Sequence, residues 1–278
     1  MQIPTNLLTR LAPTPSGYLH IGNAFSFVLT WVLARKNNGC IFLRIDDLDR
    51  NRFRTEYLED IFYSLEWLGV EYDLGPSGPT DFLKNYSQYS RMELYKNAKK
   101  KLLEKGNLFP CNCSRKQIAE RSVQGQYDGY CLHSFDDKSL APIAWRSNIS
   151  NSSLMPQMHY SVVWRKEDFP SYHLASVIDD DYWKINFIVR GEDLQASTQF
   201  QLLLSEQLDT NLNSVNFLHH YLLNDDSGRK LSKSFGSQSL ASLRKQQIKP
   251  IEIYKKVARY LSLPEEEISN INSLLINY

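Results

Sequence analysis

Where a short apolar run, Leu7 to Ala12, gives way to a helical pattern, the chain reads "PTPSGYLHIGN". A helix N-terminus presents unpaired N–H groups and the positive end of the dipole. Glycine lets a ligand approach the backbone. Gly17 and the run His20-Ile21-Gly22-Asn23 therefore have the makings of a phosphate site. A tight strand-to-helix connection is the plainer reading of the same residues. There is no G-x-x-x-x-G-K-S/T, so this is not a P-loop. A second stretch, "KLSKS" over Lys230–Ser234, offers mobile positive charge in Lys230 and Lys233. Arg10 and Arg190 both fall near strand ends, and a guanidinium grips a carboxylate in two-pronged fashion. Cys111, Cys113 and Cys131 are spaced as a metal cluster rather than a disulfide framework. Zinc takes four ligands in tetrahedral geometry, so three thiolates leave one place.

The elements that must hold these residues follow from periodicity. Phe25, Val28, Leu29, Val32 and Leu33 fall on one face of a first helix that Gly39 can end. "CIFLRI" is a continuous apolar run, as in a strand buried in a parallel sheet, and it ends at Asp46, Asp47 and Asp49. In open α/β sheets the C-terminal ends of the strands face the ligand. Leu58, Ile61, Phe62, Leu65 and Leu68 predict a second helix closed by Gly69, and a third runs from about Gln88 to Lys105. From 107 to 168 the pattern changes to short strands, "LFPCNC", "APIAWRSN" and "HYSVVWRK", among polar loops, with Ser114 and Gln117 spaced as a capping box. The α/β pattern then returns in "WKINFIVRG", a helix over Ser197–Leu208, and "VNFLHHYLL". From Pro250 the chain is helical to its end, with stripes at Ile251, Tyr254, Ala258 and Leu261 and at Ile268 and Ile271.

Composition sets the bounds. The 278 residues are 42% hydrophobic and 23% charged with a net charge of +1, which is ordinary for a globular protein and excludes a strongly basic nucleic-acid binder. A local cluster, Lys96, Lys99, Lys100, Lys101 and Lys105, reads as a solvated helix face. Cys40, within the apolar run, reads as a packing residue. His159 and His173 read as structural, and at least one of His219 and His220 as packing. No signal pattern and no apolar run of membrane-spanning length appears, so a cytoplasmic protein that does not engage a membrane is expected.

His20-Ile21-Gly22-Asn23 resembles the HIGH signature of class I aminoacyl-tRNA synthetases, and "KLSKS" resembles their KMSKS signature. "RLAPTPSGYLHIGNA", "LRIDDLDR", "VRGEDL" and the lysine loop extend the resemblance over roughly 7–240 and point to the glutamyl branch of that class. The fold so implied is α/β: a Rossmann-type class I catalytic core, split by an inserted zinc-bearing subdomain and followed by a short helical tail. Its first half is expected at 1–106, the insertion at 107–168, the second half with the lysine loop at 169–240, and the tail at 241–278.

The resemblance implies activation of glutamate by ATP with Mg2+, followed by transfer of glutamate to a hydroxyl acceptor. The nucleophile is a carboxylate, already charged at neutral pH, so positioning and charge stabilisation suffice. His20, Gly22, Asn23, Lys230 and Lys233 form the expected ATP set, with His20, Asn23 and Lys233 catalytic. The family pattern puts Arg10, Ala12, Thr14, Asp46, Tyr172 and Arg190 around glutamate. The family usually has Glu where this chain has Asp46, one methylene shorter; Asp47 or a bridging water could compensate. For the fourth metal place the family points to Tyr127, while the residues themselves also offer His133.

Within the branch the chain is most similar to the small members that esterify the queuosine base in the anticodon of tRNA(Asp). It ends soon after the lysine loop, and "CNC" with "YDGYC" sits where those members hold zinc. A monomer is expected. The alternatives are a short synthetase charging a tRNA 3′ end and a non-catalytic adenylate- or RNA-binding module.

Overall fold

The structure is a computed structural model, describing residues 3–122, 126–136, 138, 140–149, 156–223 and 239–278. In chain order the regular elements begin with β1 (Leu8–Leu11), α1 (Ile21–Lys36), β2 (Cys40–Leu43), α2 (Thr55–Trp67), α3 (Pro79–Asp81) and α4 (Met92–Glu104). Next come β3 (Leu108–Cys111), α5 (Arg115–Arg121), α6 (Tyr130–His133), β4 (Ala144–Ser147), β5 (Val162–Trp164), α7 (Tyr172–Tyr182) and β6 (Phe187–Gly191). The last are α8 (Gln195–Leu208), β7 (Asn216–His220), α9 (Leu240–Lys245), α10 (Ile251–Tyr260) and α11 (Ile271–Asn277). Among the described residues no helix is long and apolar enough to cross a membrane.

Packing divides the chain into two compact units. The first takes the described residues of Met1–Ser90, Ile185–Glu192 and Val215–Tyr278. In it β1 pairs in parallel with β2, from Leu8 opposite Cys40 to Leu11 opposite Leu43, and α1 is the crossover. β6 pairs in parallel with β7, from Phe187 opposite Asn216 to Gly191 opposite His220. The two ladders meet where Leu8 N–H donates to Asn186 Oδ1 at 2.8 Å and Asn186 N–H donates to the Leu8 carbonyl at 3.0 Å. Arg10 and Arg190 therefore lie toward the C-terminal ends of neighbouring strands. Gly75, at φ +118°, lets the chain after α2 run along β2; a Cβ there would stand 2.6 Å from the Leu43 carbonyl oxygen.

The first helix departs from the one-faced expectation. Every residue of α1 from Phe27 to Ala34 is buried, as are Ala24 and Phe25. Its second side is covered by the tail, where Ile253, Tyr254, Val257 and Ala258 of α10 and Ile271 and Leu274 of α11 join the same core. A helix apolar all round is a buried helix, and the tail is what buries it. Its end also differs: Asn38, at φ +50°, takes the left-handed position rather than Gly39. Cys40 is exposed, contrary to the packing role expected of it, because it opens β2 ahead of the buried run Ile41–Leu43.

The second unit takes the described residues of Arg91–Lys184 and Asp193–Ser214. Its sheet is antiparallel, β3-β4-β5, with Cys111 opposite Ala144 and Trp145 opposite Trp164. The Ser114–Gln117 capping box starts α5 as expected: Gln117 N–H donates to Ser114 Oγ at 3.2 Å, and Ser114 N–H to Gln117 Oε1 at 2.7 Å. Helix α7 has no counterpart in the periodicity reading. Three successive aspartates, Asp179–Asp181, disguise it as a polar loop. Asp179 is nevertheless fully buried, holding Arg91 at 2.8 and 3.1 Å and accepting from Tyr95 Oη at 2.6 Å. The lysine cluster is ion-paired: Lys96 to Glu93 at 2.9 Å, Lys100 to Glu104 at 3.8 Å, and Lys101 and Lys105 to Asp209 at 2.7 and 3.3 Å. Lys99 Nζ lies over the rings of Trp145 and Trp164, at 5.4 and 4.8 Å.

Candidate active site and metal centre

The entry to α1 is built by reciprocal capping. His20, extended at φ −121° and ψ 174°, is the N-cap. Its Nδ1 accepts from Gly22 N–H at 3.1 Å, and its own N–H donates to Asn23 Oδ1 at 3.0 Å. In the neutral ring an accepting Nδ1 puts the proton on Nε2, so the exposed His20 edge is a donor. Asn23 is turned the same way, with its oxygen committed to the backbone and its Nδ2 as the donor end. Gly22 is what admits this arrangement, since a Cβ there would lie 2.9 Å from His20 Cε1. The H-x-G-N spacing thus yields a helix start presenting side-chain donors above a dipole end.

Lys230 and Lys233 lie outside the described residues. The described chain on either side of their segment is fastened to the same region. Ahead of it, His220 Nε2 is 2.7 Å from Ser26 Oγ of α1, and Leu222 N–H donates to Glu192 Oε1 at 3.2 Å. Beyond it, Leu240 N–H donates to the Leu19 carbonyl at 2.8 Å, and Ser239 forms an antiparallel bridge with His20.

Arg10 on β1 and Arg190 on β6 are both buried. Arg10 donates to the Val189 carbonyl at 3.4 Å, and the Arg190 guanidinium lies 5.2 Å over the Phe217 ring. His219 is the strand partner of Arg190. Burial, reinforced by the Arg190 charge, holds its imidazole below its ordinary range. Ala12 is half-buried and Thr14 exposed, its Oγ1 3.3 Å from Ser16 Oγ.

The acidic end of the β2 run divides into two roles. Asp46 is gripped on both oxygens by Arg44, Nε to Oδ1 at 2.7 Å and an η-nitrogen to Oδ2 at 3.0 Å. Sequence reading did not single out Arg44; its position two residues before Asp46 puts both on one face of an extended chain. Asp47 is buried and accepts from Ser87 Oγ at 2.6 Å and Gln88 N–H at 2.8 Å, with Arg50 at 3.0 Å. It fastens the chain entering α4, which weighs against its standing in for Asp46. Tyr172 belongs to the second unit, where it opens α7, exposed and edge-on to the His173 ring at 5.5 Å.

The three cysteines converge. Cys111, Cys113 and Cys131 are buried, with Sγ atoms within 4.8 Å of one another. The Tyr127 hydroxyl joins them, 3.5 Å from Cys111 Sγ and 3.9 Å from Cys113 Sγ, and accepts from Cys131 N–H at 2.8 Å. With metal bonds of about 2.3 Å to sulfur and about 2.0 Å to oxygen, a tetrahedral site has a sulfur–oxygen edge of about 3.5 Å. The Tyr127 oxygen fits that edge. His133, the sequence rival, ends α6 exposed and outside the cluster. Burial pushes the Cys111 thiol up, but the Tyr127 hydrogen bond and the Arg146 charge outweigh it and bring it below its usual range. Burial raises Cys131 and, together with the thiols, Tyr127. A divalent cation reverses that direction for its own ligands.

Residues 6–141 and 141–273 match the family described as "tRNA synthetases class I (E and Q), catalytic domain". The chain is 35% identical over 266 residues to "Glutamyl-Q tRNA(Asp) synthetase" of Synechococcus sp. (strain CC9605), covering 94% of this chain and 85% of that one. It is 32% identical over 280 residues to "Glutamate--tRNA ligase 2" of Syntrophus aciditrophicus (strain SB), covering 91% of this chain and 56% of that one. It thus spans little more than half the length of that ligase. The fold matches the crystal structure of glutamate-tRNA synthetase from Elizabethkingia anophelis with a TM-score of 0.79 at 22% identity, covering 98% of this chain and 66% of that one. With signature helix, parallel strands and sequence in agreement, the chain belongs to the class I tRNA synthetase family of the glutamyl and glutaminyl type.

Proposed function

We propose that this protein activates glutamate with ATP and transfers it to the queuosine base of tRNA(Asp). The observation that carries the activation step is the donor-bearing start of α1 in the same unit as two buried arginines, Arg10 and Arg190, on neighbouring strands. A glutamate carboxylate oxygen attacks the α-phosphorus, pyrophosphate leaves, and glutamyl-adenylate remains. The acceptor hydroxyl then attacks the acyl carbon, AMP leaves, and the hydroxyl proton passes to solvent. His20 Nε2–H and the Asn23 amide, with Gly22 keeping the backbone open, donate to phosphate oxygens as charge builds on them. Lys233, with Lys230, offsets that charge, and Mg2+ accompanies ATP. Arg10 and Arg190 take the two carboxylates of glutamate and Asp46 its ammonium, beside Ala12 and Thr14, and the family pattern adds Tyr172 to the residues that meet this amino acid.

Cys111, Cys113, Tyr127 and Cys131 would hold zinc, and the donor set supports that reading through its burial and spacing. Four protein ligands leave no open position, so the metal would be structural.

Queuosine as acceptor is supported by the likeness to relatives of that name, 81–85% of whose length the chain covers. A second reading, charging of a tRNA 3′ end, is favoured by the identity to longer glutamate ligases. Glutamate-dependent ATP–pyrophosphate exchange without tRNA is expected, with transfer to queuosine-bearing tRNA(Asp) and none to tRNA(Glu). A good yield of Glu-tRNA(Glu), with exchange only when tRNA is added, would replace the first reading by the second. Absence of exchange under both conditions would leave a binding module.

A further inference from the structure

The zinc reading of the cysteine cluster raises a question of charge. Three thiolates and a tyrosine oxygen are four anionic ligands, and a divalent ion cancels half of their charge. Two negative charges in excess, largely removed from water, need compensation from the protein.

Among the described residues three cations stand against the cluster, from parts of the chain that no local motif connects. An η-nitrogen of Arg121, at the end of α5, lies 3.2 Å from Cys113 Sγ. The Arg146 guanidinium, on β4, sits 4.0 Å over the Tyr127 ring, fixed by a 2.9 Å hydrogen bond to the Tyr160 carbonyl. Lys166, just beyond β5, donates to the Asn112 and Cys113 carbonyls at 2.8 and 3.0 Å and so clamps the loop between two ligands. Asp128, 3.0 Å from Arg121, pins that side chain and subtracts one charge. Among the described residues, these three cations less one carboxylate match the excess. A neutral histidine in the fourth place would leave the shell over-positive. A cation over the ring face is attracted more strongly as the ring gains electron density.

We propose that Arg121, Arg146 and Lys166 are the charge-balancing outer partners of the Cys111–Cys113–Tyr127–Cys131 site, and that their charge lets a tyrosine oxygen hold the fourth place. The inference rests on the zinc reading of that site. Its test is zinc affinity, measured by competition with a chelator of known strength, for the full chain and for Arg121→Gln, Arg146→Gln and Lys166→Gln. Glutamine keeps a hydrogen-bond donor and drops the charge. Each is expected to bind zinc 10- to 100-fold more weakly, the usual effect of removing an outer partner. Arg121→Lys and Arg146→Lys are expected to recover most of the loss. In addition, Arg146→Gln should weaken zinc binding less in a Tyr127→Phe background than in the parent, because part of its effect passes through the oxygen already removed while its charge still acts on Cys111. Far-UV circular dichroism confirms that each variant compared is folded. If the parent holds no zinc, the zinc reading itself fails. If the parent holds zinc while the glutamine variants match it, or the lysine variants are as weak as the glutamine ones, charge balance is refuted and the zinc reading stands.

Discussion

Replacing Asp46 by Ala tests two roles at once, the pairing with Arg44 that the structure shows and the proposed hold on the glutamate ammonium. The Arg44 and Asp46 side chains are 2% and 9% exposed, and Arg44 grips both carboxylate oxygens. Removing the acid takes a charged partner from both sides of a buried guanidinium's fork. Breaking a buried pair from one side costs about 3–5 kcal/mol. Against a typical total of about 5–15 kcal/mol this is a large fraction. At about 2–4 °C per kcal/mol for a chain of this size class, the melting midpoint should fall by roughly 6–20 °C. Loss of a hydrogen bond to a charged ammonium adds a separate effect of about 1.5–3 kcal/mol, or roughly tenfold to a hundredfold in kcat/KM for glutamate. The assays are thermal unfolding and steady-state exchange against glutamate concentration, both run below the variant's melting midpoint. Asp46→Glu, which keeps the charge, should retain activity. An unchanged midpoint in Asp46→Ala would refute the buried-pair argument. A lowered midpoint with unchanged kcat/KM would leave Asp46 structural and remove it from the glutamate site.

Lys233→Ala should slow exchange more than tenfold, since one preorganised charge contact is typically worth a few kcal/mol at a transition state; an unaltered rate removes Lys233 from the mechanism. Gly22→Ala should turn the His20 ring away, because its Cβ would meet that ring at 2.9 Å, so exchange should fall while the unfolding midpoint stays close to the parent's. Zinc content should drop in Tyr127→Phe and hold in His133→Ala, and the reverse result would move the fourth ligand to His133. His219 titrates below its ordinary 6.5 in the folded chain because burial disfavours the imidazolium. The unfolded chain therefore binds more protons in that window, and stability is full above 6.5 and lost as pH falls toward the folded value. Urea midpoints at about pH 7.5 and about pH 5.5 should show a fall on acidification that is smaller in His219→Gln.

What the sequence determined by itself is what closes within a few residues or a few strand positions. The reciprocal bonds of His20 with Gly22 and Asn23, and of Ser114 with Gln117, need only residues within one helical turn of each other. Their spacing was sufficient to locate both helix starts. The buried runs of β2 and β6, the strand of β7, the two signature motifs and the cysteine spacing were legible for the same reason. Tertiary structure decided whatever depends on a distant neighbour. Helix α1 is buried all round because α10 and α11, more than two hundred residues later, cover its second side. Cys40 is exposed because a strand's first residue precedes the cover its later residues receive. Helix α7 hid behind its aspartates because Asp179 answers Arg91 and Tyr95, a partnership that no local pattern announces. Which of Tyr127 and His133 stands against the sulfurs could not be read from spacing, as both lie within one loop's reach of Cys131. The fold of that loop brings one oxygen against the sulfurs and turns the imidazole out to water.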